Sequence, residues 1–201
     1  MAIDNQLILG LHLSPRPLGS SSVMLKRFQK GVTEAGGTLE IFSVAGRNIQ
    51  GCVCCGDCYR TGQCRFSDDM DLVLPALEKA SRLVIATPVY FYGVPALGKA
   101  FIDRVQVFWS RIYKLGQKRQ FPVEPKGLVL SVGATKGKDL FTPIKLSMKY
   151  FFDSIGFPRT FSFVGYRLVE EPSDWPEEKL AQVEAYGRDF VLGTLGLVEA
   201  Y

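Results

Sequence analysis

Histidine is almost absent from this sequence, and cysteine is confined to one short segment. The 201 residues include a single histidine, His12, and five cysteines that all lie between positions 52 and 64. There is accordingly no HExxH motif and no convincing Ser–His–Asp triad. The odd number of cysteines also argues against a framework of structural disulfides.

Long apolar runs and the common nucleotide-binding motifs are missing as well. The first apolar run, residues 6–13, is soon broken by Pro15, and it fits neither a secretory signal nor a membrane span. Neither GxGxxG nor GxxxxGK[ST] occurs. The net charge of +4 comes from 24 basic and 20 acidic residues that are interspersed, which is too weak a bias to indicate nucleic acid. We therefore expect a cytoplasmic protein with reduced thiols that binds neither nucleic acid nor a membrane.

Five apolar runs predict the strands of a parallel sheet, since they are nearly continuous rather than alternating, as strands covered by helices on both faces are. They are residues 6–13, 38–43, 82–87, 127–132 and 160–164. Segments with helical spacing lie between and after them, at residues 20–34, 70–80, 96–112, 141–155 and 175–192. This alternation predicts a doubly wound α/β fold in a single domain over residues 1–201. The cysteines fall in an irregular insert at about 45–68, and a loop of that length is usually functional.

Three loops that follow predicted strands carry candidate ligand contacts, because ligands bind beyond the carboxyl ends of such strands. Residues 14–22, SPRPLGSSS, open the first helix and offer N–H groups and hydroxyls to a phosphate, or else form a polar loop with a serine cap. Residues 87–93, TPVYFYG, suit a flat heterocycle, or else pack against the sheet edge. Residues 133–137 form either a close approach for a ligand or an ordinary turn.

The cysteine spacing resembles the compact runs that hold cubane iron–sulfur clusters. It reads Cys52-x2-Cys55-x2-Cys58-x5-Cys64, whereas structural zinc sites more often use two CxxC pairs separated by a longer span. Cys54 lies outside this register, although a frame that uses Cys54 in place of Cys55 is an alternative. Arg60 and Arg65 flank the cysteines and either offset the charge of a cluster or are solvated. We interpret His12, inside a predicted strand, as a core residue.

Three motifs in this order resemble the iron–sulfur flavoproteins, a branch of the NADPH-dependent FMN reductase family. They are SPRPLGSSSVML at 14–25, GCVCCGDCYRTGQCRFSDDM at 51–70 and TPVYFYGVPALGKAFIDR at 87–104. The resemblance implies a flavodoxin-like sheet of five strands in the order 2-1-3-4-5, with the cysteine-rich loop after strand 2. It also implies FMN as cofactor and a homodimer or homotetramer. The chain departs from the family pattern at Leu13, where glycine is usual, and at Ser20, where asparagine is common.

The resemblance further assigns individual residues to the two cofactors. The implied phosphate contacts are Ser14, Arg16, Ser20, Ser21 and Ser22. The implied lining of the isoalloxazine is Thr87, Pro88, Val89, Tyr90, Phe91 and Gly93. The implied ligands of a [4Fe–4S] cluster are Cys52, Cys55, Cys58 and Cys64.

These assignments predict an FMN-dependent oxidoreductase or electron-transfer protein that couples FMN to the cluster. No catalytic side chain is required, because the cofactors carry the chemistry. The expected donor is NAD(P)H or a ferredoxin-like protein, and the expected acceptor is a small molecule. The basic run 114–119 either docks an acidic protein such as a ferredoxin or is a solvated loop. Two alternatives are a cluster-free NAD(P)H-dependent FMN or quinone reductase and a zinc-stabilised flavodoxin-like binding protein without turnover.

Overall fold

A computed structural model describes residues 7–200, in which six parallel strands form one sheet with the order β2-β1-β3-β4-β5-β6. The strands are β1 Leu7–His12, β2 Thr38–Ser43, β3 Arg82–Pro88, β4 Lys126–Gly133, β5 Ser162–Arg167 and β6 Glu199–Ala200. The predicted order of the first five strands is confirmed. The sixth strand was missed because a two-residue edge strand leaves no periodic pattern in the sequence. Gln6, the predicted start of the first strand, lies outside the described residues.

Within residues 7–200, seven α-helices connect the strands, and one predicted helix is interrupted. They are α1 Ser20–Glu34, α2 Asp57–Thr61, α3 Met70–Lys79, α4 Ala96–Arg104, α5 Gln106–Tyr113, α6 Thr142–Ser154 and α7 Glu177–Leu192. The single helix predicted over 96–112 is wrong, because the buried Val105 takes ψ near 0° and the chain turns there from α4 to α5. Within residues 7–200, none of the helices is long and apolar enough to cross a membrane.

The two faces of the sheet are covered by different sets of helices. Apolar residues of α1 and α7 pack in one layer with alternate strand residues such as Ile8 and Val84. Helices α3, α4, α5 and α6 cover the other face, where Leu9 and Ile85 lie. Because successive strand residues point to opposite faces, strands buried on both sides must be apolar at nearly every position. This arrangement explains the continuous apolar runs in the sequence.

Helices α1 and α7 meet backbone to backbone at two glycines. A Cβ atom on Gly31 would lie 1.8 Å from the carbonyl oxygen of Glu184, and one on Gly187 would lie 2.2 Å from that of Phe28. Side chains cannot occupy such distances, so either substitution would push the helices apart. The crossing is flanked by ion pairs from Arg27 and Lys30 to the Glu184 carboxylate, at 3.0 and 3.1 Å.

Two cations of the basic run 114–119, Arg119 and Lys114, make contacts within the fold. Arg119 donates to the carbonyl oxygens of Leu77 and Ala80 near the end of α3, at 3.0 and 3.2 Å, and to that of Ile155 after α6. Cations are favourable at helix carboxyl ends, where carbonyl groups lack partners. Burial lowers the pKa of Arg119 to about 10. Lys114 lies over the indole ring of Trp109, 5.5 Å from its centroid.

Candidate functional site

The carboxyl ends of β1, β3 and β4 open into one cavity of about 240 Å³. Its walls come from residues within 14–21, 88–90 and 132–134, which belong to the three loops singled out by the sequence, and from 169–170 after β5. Strands β1 and β3 are neighbours from which the chain continues to opposite sides of the sheet. A doubly wound sheet binds its ligands at this switch point.

The first helix begins at this cavity with uncommitted backbone donors. Gly19 is the extended N-cap residue, and its carbonyl oxygen accepts the N–H groups of Ser22 and Val23 at 2.9 and 3.2 Å. Across residues 7–200, no side chain caps this end and no acceptor is found for the N–H groups of Ser20 and Ser21. A helix start with free N–H groups attracts anions through hydrogen bonding and the helix dipole. This end of the cavity is therefore suited to a phosphate.

The four predicted serine contacts are not equivalent, although all of them are buried. Ser14 accepts the backbone N–H of Arg16 at 3.1 Å, which leaves its hydroxyl hydrogen available. Ser20 donates its hydroxyl to the carbonyl oxygen of Glu170 at 3.0 Å. Ser21 borders the cavity and lies 3.0 Å from the Nε2 atom of His12. Ser22 does not border the cavity, so its predicted contact would require a ligand that reaches beyond it.

Arg16, the predicted cationic contact, is paired with an acid. Its guanidinium donates to both carboxylate oxygens of Glu171, at 2.8 and 3.3 Å, and both side chains are about half exposed. The hydrogen bond from Arg16 lowers the pKa of Glu171 and raises that of Arg16. Arg16 also borders the cavity, so an anion bound there would compete with Glu171 for the guanidinium.

The second loop forms a tight turn that presents aromatic side chains. Tyr90 and Gly93 exchange two backbone hydrogen bonds of 2.9 Å, and the two residues between them, Phe91 and Tyr92, have φ values of 48° and 63°. Positive φ values at both central positions are usual for glycine or asparagine and are strained for aromatic residues. The turn leaves the Phe91 side chain fully exposed.

Only part of the predicted isoalloxazine lining borders the cavity. Pro88, Val89 and Tyr90 do so, whereas Thr87, Phe91 and Gly93 do not. Thr87 is fully buried, and its hydroxyl donates to the carbonyl oxygen of Pro88 at 3.0 Å. The turn also approaches the third loop, since a Cβ atom on Gly137 would lie 2.6 Å from the Tyr92 hydroxyl oxygen.

The cysteine loop surrounds a second cavity of about 280 Å³, which all five cysteines border. Cys52, Cys54 and Cys55 are exposed, Cys58 and Cys64 are partly buried, and all five are free thiols. Within residues 7–200, no three Cys, His, Asp or Glu side chains are gathered as ligands of one metal ion. Ligands of a single ion converge on one point, whereas those of a cubane cluster occupy separate corners and stand farther apart.

The base of the cysteine loop is fixed by a buried ion pair. Arg104, at the end of α4, donates to the carboxylate of Asp68 at 2.6 Å, and the two side chains are 1% and 0% exposed. The same carboxylate accepts the backbone N–H groups of Gln50 and Met70 at 3.0 Å each. Burial opposes both charges, but these hydrogen bonds prevail, so the pKa of Asp68 is lowered and that of Arg104 is raised.

Arg104 also faces the cysteine cavity. It borders that cavity beside Cys64. Burial lowers the pKa of Arg104, but its interactions with Asp68 and then Cys64 raise this pKa above its ordinary value. Its Nε–H is buried and has no hydrogen-bond acceptor within residues 7–200. A buried donor of this kind fits an anionic group in the cavity, such as a cluster bound by thiolates.

Arg60 and Arg65, the cations that the sequence placed beside the cysteines, lie instead near Asp57. The separations are 2.8 and 3.9 Å, and both arginines are exposed. Two other side chains contact the loop from α5. The Ser110 hydroxyl lies 3.2 Å from the Cys58 sulfur, and Arg111 donates to the Gly62 carbonyl oxygen at 2.7 Å.

Comparison with known proteins identifies the family. A family model described as NADPH-dependent FMN reductase matches residues 7–139, about two thirds of the chain. The chain belongs to this family. The matched segment includes β1 to β4, the walls of the first cavity on those strands and the whole cysteine loop. Membership places the chain among flavin-dependent oxidoreductases.

Individual relatives cover the chain to different extents. An iron–sulfur flavoprotein of Methanocaldococcus jannaschii is 29% identical over 144 residues, which are 72% of this chain and 70% of the relative. An iron–sulfur flavoprotein of Archaeoglobus fulgidus is 34% identical over 103 residues, which are 51% of this chain and 47% of the relative. The alignment to the second protein thus spans about half its length.

Solved structures support the fold over most of the chain. An NAD(P)H:quinone oxidoreductase from Methanothermobacter marburgensis superposes with a TM-score of 0.69 at 21% identity. The superposition covers 92% of this chain and 98% of that one. At this identity the similarity establishes the fold, and the flavodoxin-like strand order agrees with it.

Three contacts at these sites were not predicted from the sequence. Glu171 pairs with Arg16, and the buried Trp175 donates its Nε1–H to the Ser20 carbonyl oxygen at 3.1 Å. Arg104 pairs with Asp68, whereas its sequence neighbour Asp103 pairs with Lys99. The first two contacts join residues about 155 positions apart, and no local pattern signals them.

Proposed function

We propose that this chain is an oxidoreductase that binds FMN in the cavity at the carboxyl ends of β1, β3 and β4. The observation that carries this proposal is the combination found there. Ser20 and Ser21, with uncommitted N–H groups, line the same cavity as Tyr90 of the aromatic turn. Membership of the FMN reductase family supports the same ligand.

The residues of this cavity would hold the flavin in a defined orientation. The N–H groups at the start of α1 and the hydroxyls of Ser14 and Ser21 would bind the phosphate, and Arg16 would join them by leaving Glu171. Pro88, Val89 and Tyr90 would line the ring system. When bound, FMN supplies hydride and single-electron transfer, while the protein binds and orients it.

We propose further that Cys52, Cys55, Cys58 and Cys64 bind a [4Fe–4S] cluster, with Cys54 outside the ligand set. Their common cavity and the buried Arg104 donor beside it support this assignment, as do the names of the two relatives. The cluster would pass single electrons between the flavin and a partner. This function is assigned to residues 1–201 as one domain with an insert at about 45–68.

A cluster-free NAD(P)H-dependent FMN or quinone reductase is the second candidate. One observation favours it: none of the five cysteines borders the cavity assigned to FMN. In both candidates the donor is NAD(P)H or a ferredoxin-like protein, the acceptor is a small molecule, and the assembly is a homodimer or homotetramer.

Cofactor analysis after anaerobic purification tests these proposals together. Iron, acid-labile sulfide, zinc and FMN are measured per chain, with a visible spectrum. One FMN and about four irons per chain support the coupled protein, and FMN without iron supports the cluster-free reductase. Zinc without FMN, in a chain that also fails to bind added FMN, would contradict both and support a zinc-stabilised binding protein. Flavin reduction under NADH, NADPH or reduced ferredoxin then distinguishes the donors.

A further inference from the structure

The only histidine of the chain connects the sheet to the predicted phosphate end of the cavity. His12 is the last residue of β1 and is buried. Its Nε2 atom lies 3.0 Å from the Ser21 hydroxyl oxygen, and its Nδ1 atom lies 3.2 Å from that of Ser43, the last residue of β2. The imidazole therefore bridges two hydroxyls, one of which borders the cavity.

Each hydroxyl can donate or accept, so the tautomer of the ring decides the direction of both bonds. Burial lowers the pKa of His12 to about 4, so the ring is neutral at neutral pH and has one donor and one acceptor nitrogen. Ser43 already accepts the backbone N–H of Ala45 at 3.3 Å. The complementary arrangement is that Ser43 donates its hydrogen to Nδ1, which leaves the proton of the ring on Nε2.

This tautomer determines what Ser21 offers to the cavity. The Nε2–H group donates to the Ser21 oxygen, and the Ser21 hydroxyl hydrogen then has no acceptor among residues 7–200. Ser20 differs, because its hydroxyl is committed to Glu170. Ser21 is thus oriented as a donor by a fixed hydrogen-bond chain that starts at the Ala45 N–H.

We propose that His12 is a positioning residue for the flavin phosphate, which holds the Ser21 hydroxyl as a donor toward that anion. The proposal rests on FMN binding at this cavity. His12 itself touches neither the phosphate nor the ring system in this arrangement, and acts through Ser21. Its effect is therefore confined to ligands that carry the phosphate.

Two substitutions separate this role from simple filling of the core. His12→Gln places an amide where Nε2 lies and keeps a partner for Ser21. His12→Asn places its amide near Nδ1, so it keeps the bond to Ser43 and loses the one to Ser21. The two side chains are similar in polarity, and a purely structural role for His12 would not make the Gln variant behave better toward phosphate.

The experiment compares FMN with riboflavin, which lacks the phosphate, by fluorescence titration of the flavin-free full chain. In wild type we expect FMN to bind more tightly than riboflavin. In His12→Asn we expect the FMN affinity to fall about tenfold, as for the loss of one hydrogen bond to a charged group, with riboflavin unchanged. His12→Gln should retain most of the preference. Ser21→Ala should lower the FMN affinity as much as His12→Asn does. The double variant, His12→Asn with Ser21→Ala, should lose no more FMN affinity than either single variant.

Several outcomes would overturn the proposal. Equal loss of FMN and riboflavin binding in both His12 variants would make His12 a core residue only. Additive losses in the double variant would mean that His12 does not act through Ser21. A wild-type chain that binds both flavins equally, or neither, would instead contradict the assignment of the phosphate site itself, and so refute the function on which the proposal rests.

Discussion

The two cavities are built in contrasting ways, although both lie next to loops that follow strands. The first is formed by backbone N–H groups and neutral buried hydroxyls that are already held by the sheet and by α1. The second is formed by five thiols, three of them exposed, on a loop whose base is fixed by the buried pair of Arg104 and Asp68 and which Ser110 and Arg111 of α5 also contact. The comparison indicates that the cavity proposed for FMN is lined by groups held in secondary structure, whereas three of the five thiols beside the cavity proposed for the cluster are exposed on a loop.

The largest expected effect is the complete loss of one cofactor while the other stays bound. Cys58→Ala should abolish iron binding and leave about one FMN per chain, because the thiols and the flavin contacts belong to different segments. Cys54→Ala is the matched control, and it should retain its iron. Iron and FMN contents after anaerobic purification check both variants. Loss of both cofactors from a folded Cys58→Ala chain would contradict the division into two independent sites.

Loss of the buried ion pair at the base of the cysteine loop should lower the free energy of unfolding far more than loss of a neighbouring exposed ion pair. Asp68→Ala leaves the Arg104 guanidinium buried without its partner, and we expect the free energy of unfolding to fall by about 3–5 kcal/mol. Asp103→Asn, one position from Arg104, breaks only an exposed pair with Lys99 and should cost about 0.5 kcal/mol or less. Urea denaturation measures both changes. Equal costs would show that the buried pair does not anchor the loop.

Acid should lower the free energy of unfolding because the buried His12 resists protonation in the folded chain. In the unfolded chain a histidine titrates near 6.5, whereas burial lowers the folded pKa to about 4. Below pH 6.5 the unfolded chain binds a proton that the folded chain does not, so stability falls as the pH approaches 4. The loss should reach about 3 kcal/mol relative to His12→Gln, which has no titrating group at this position. Urea denaturation of both proteins from pH 7 to 4 tests this, and parallel curves would refute it.

The smallest expected effect concerns Arg16, which borders the cavity proposed for FMN. Glu171→Gln releases Arg16 from its ion pair, so FMN should bind about two- to fivefold more tightly at low salt. Glu178→Gln removes the same charge from the exposed first turn of α7 and should leave FMN binding unchanged. Fluorescence titration compares the two variants. A weaker FMN complex in Glu171→Gln would indicate that Glu171 positions Arg16 instead of competing for it.

The features that were predictable from the sequence are those with a local signature. Apolar runs located five strands, and the composition of residues 14–22 and 87–93 indicated two walls of the cavity. Features that depend on contacts between distant segments were not predictable. The pair of Arg104 and Asp68 joins residues 36 positions apart, and Trp175 contacts Ser20 from 155 positions away. Nothing in SSS distinguishes Ser21 from its neighbours, because the difference arises from what each hydroxyl meets in the fold.

The close approach of α1 and α7 at their glycines fixes the orientation of α1 at a point far from the cavity. Gly31 lies eleven residues after Ser20, so this point is about 16 Å from the helix start. A tilt of about 5° at the crossing would move the N–H groups of Ser20 and Ser21 by about 1.4 Å, which is enough to misplace a bound phosphate. We therefore expect substitutions at positions 31 and 187, which do not line the cavity, to weaken phosphate binding. A survey of mutational tolerance would find them as intolerant as the cavity itself.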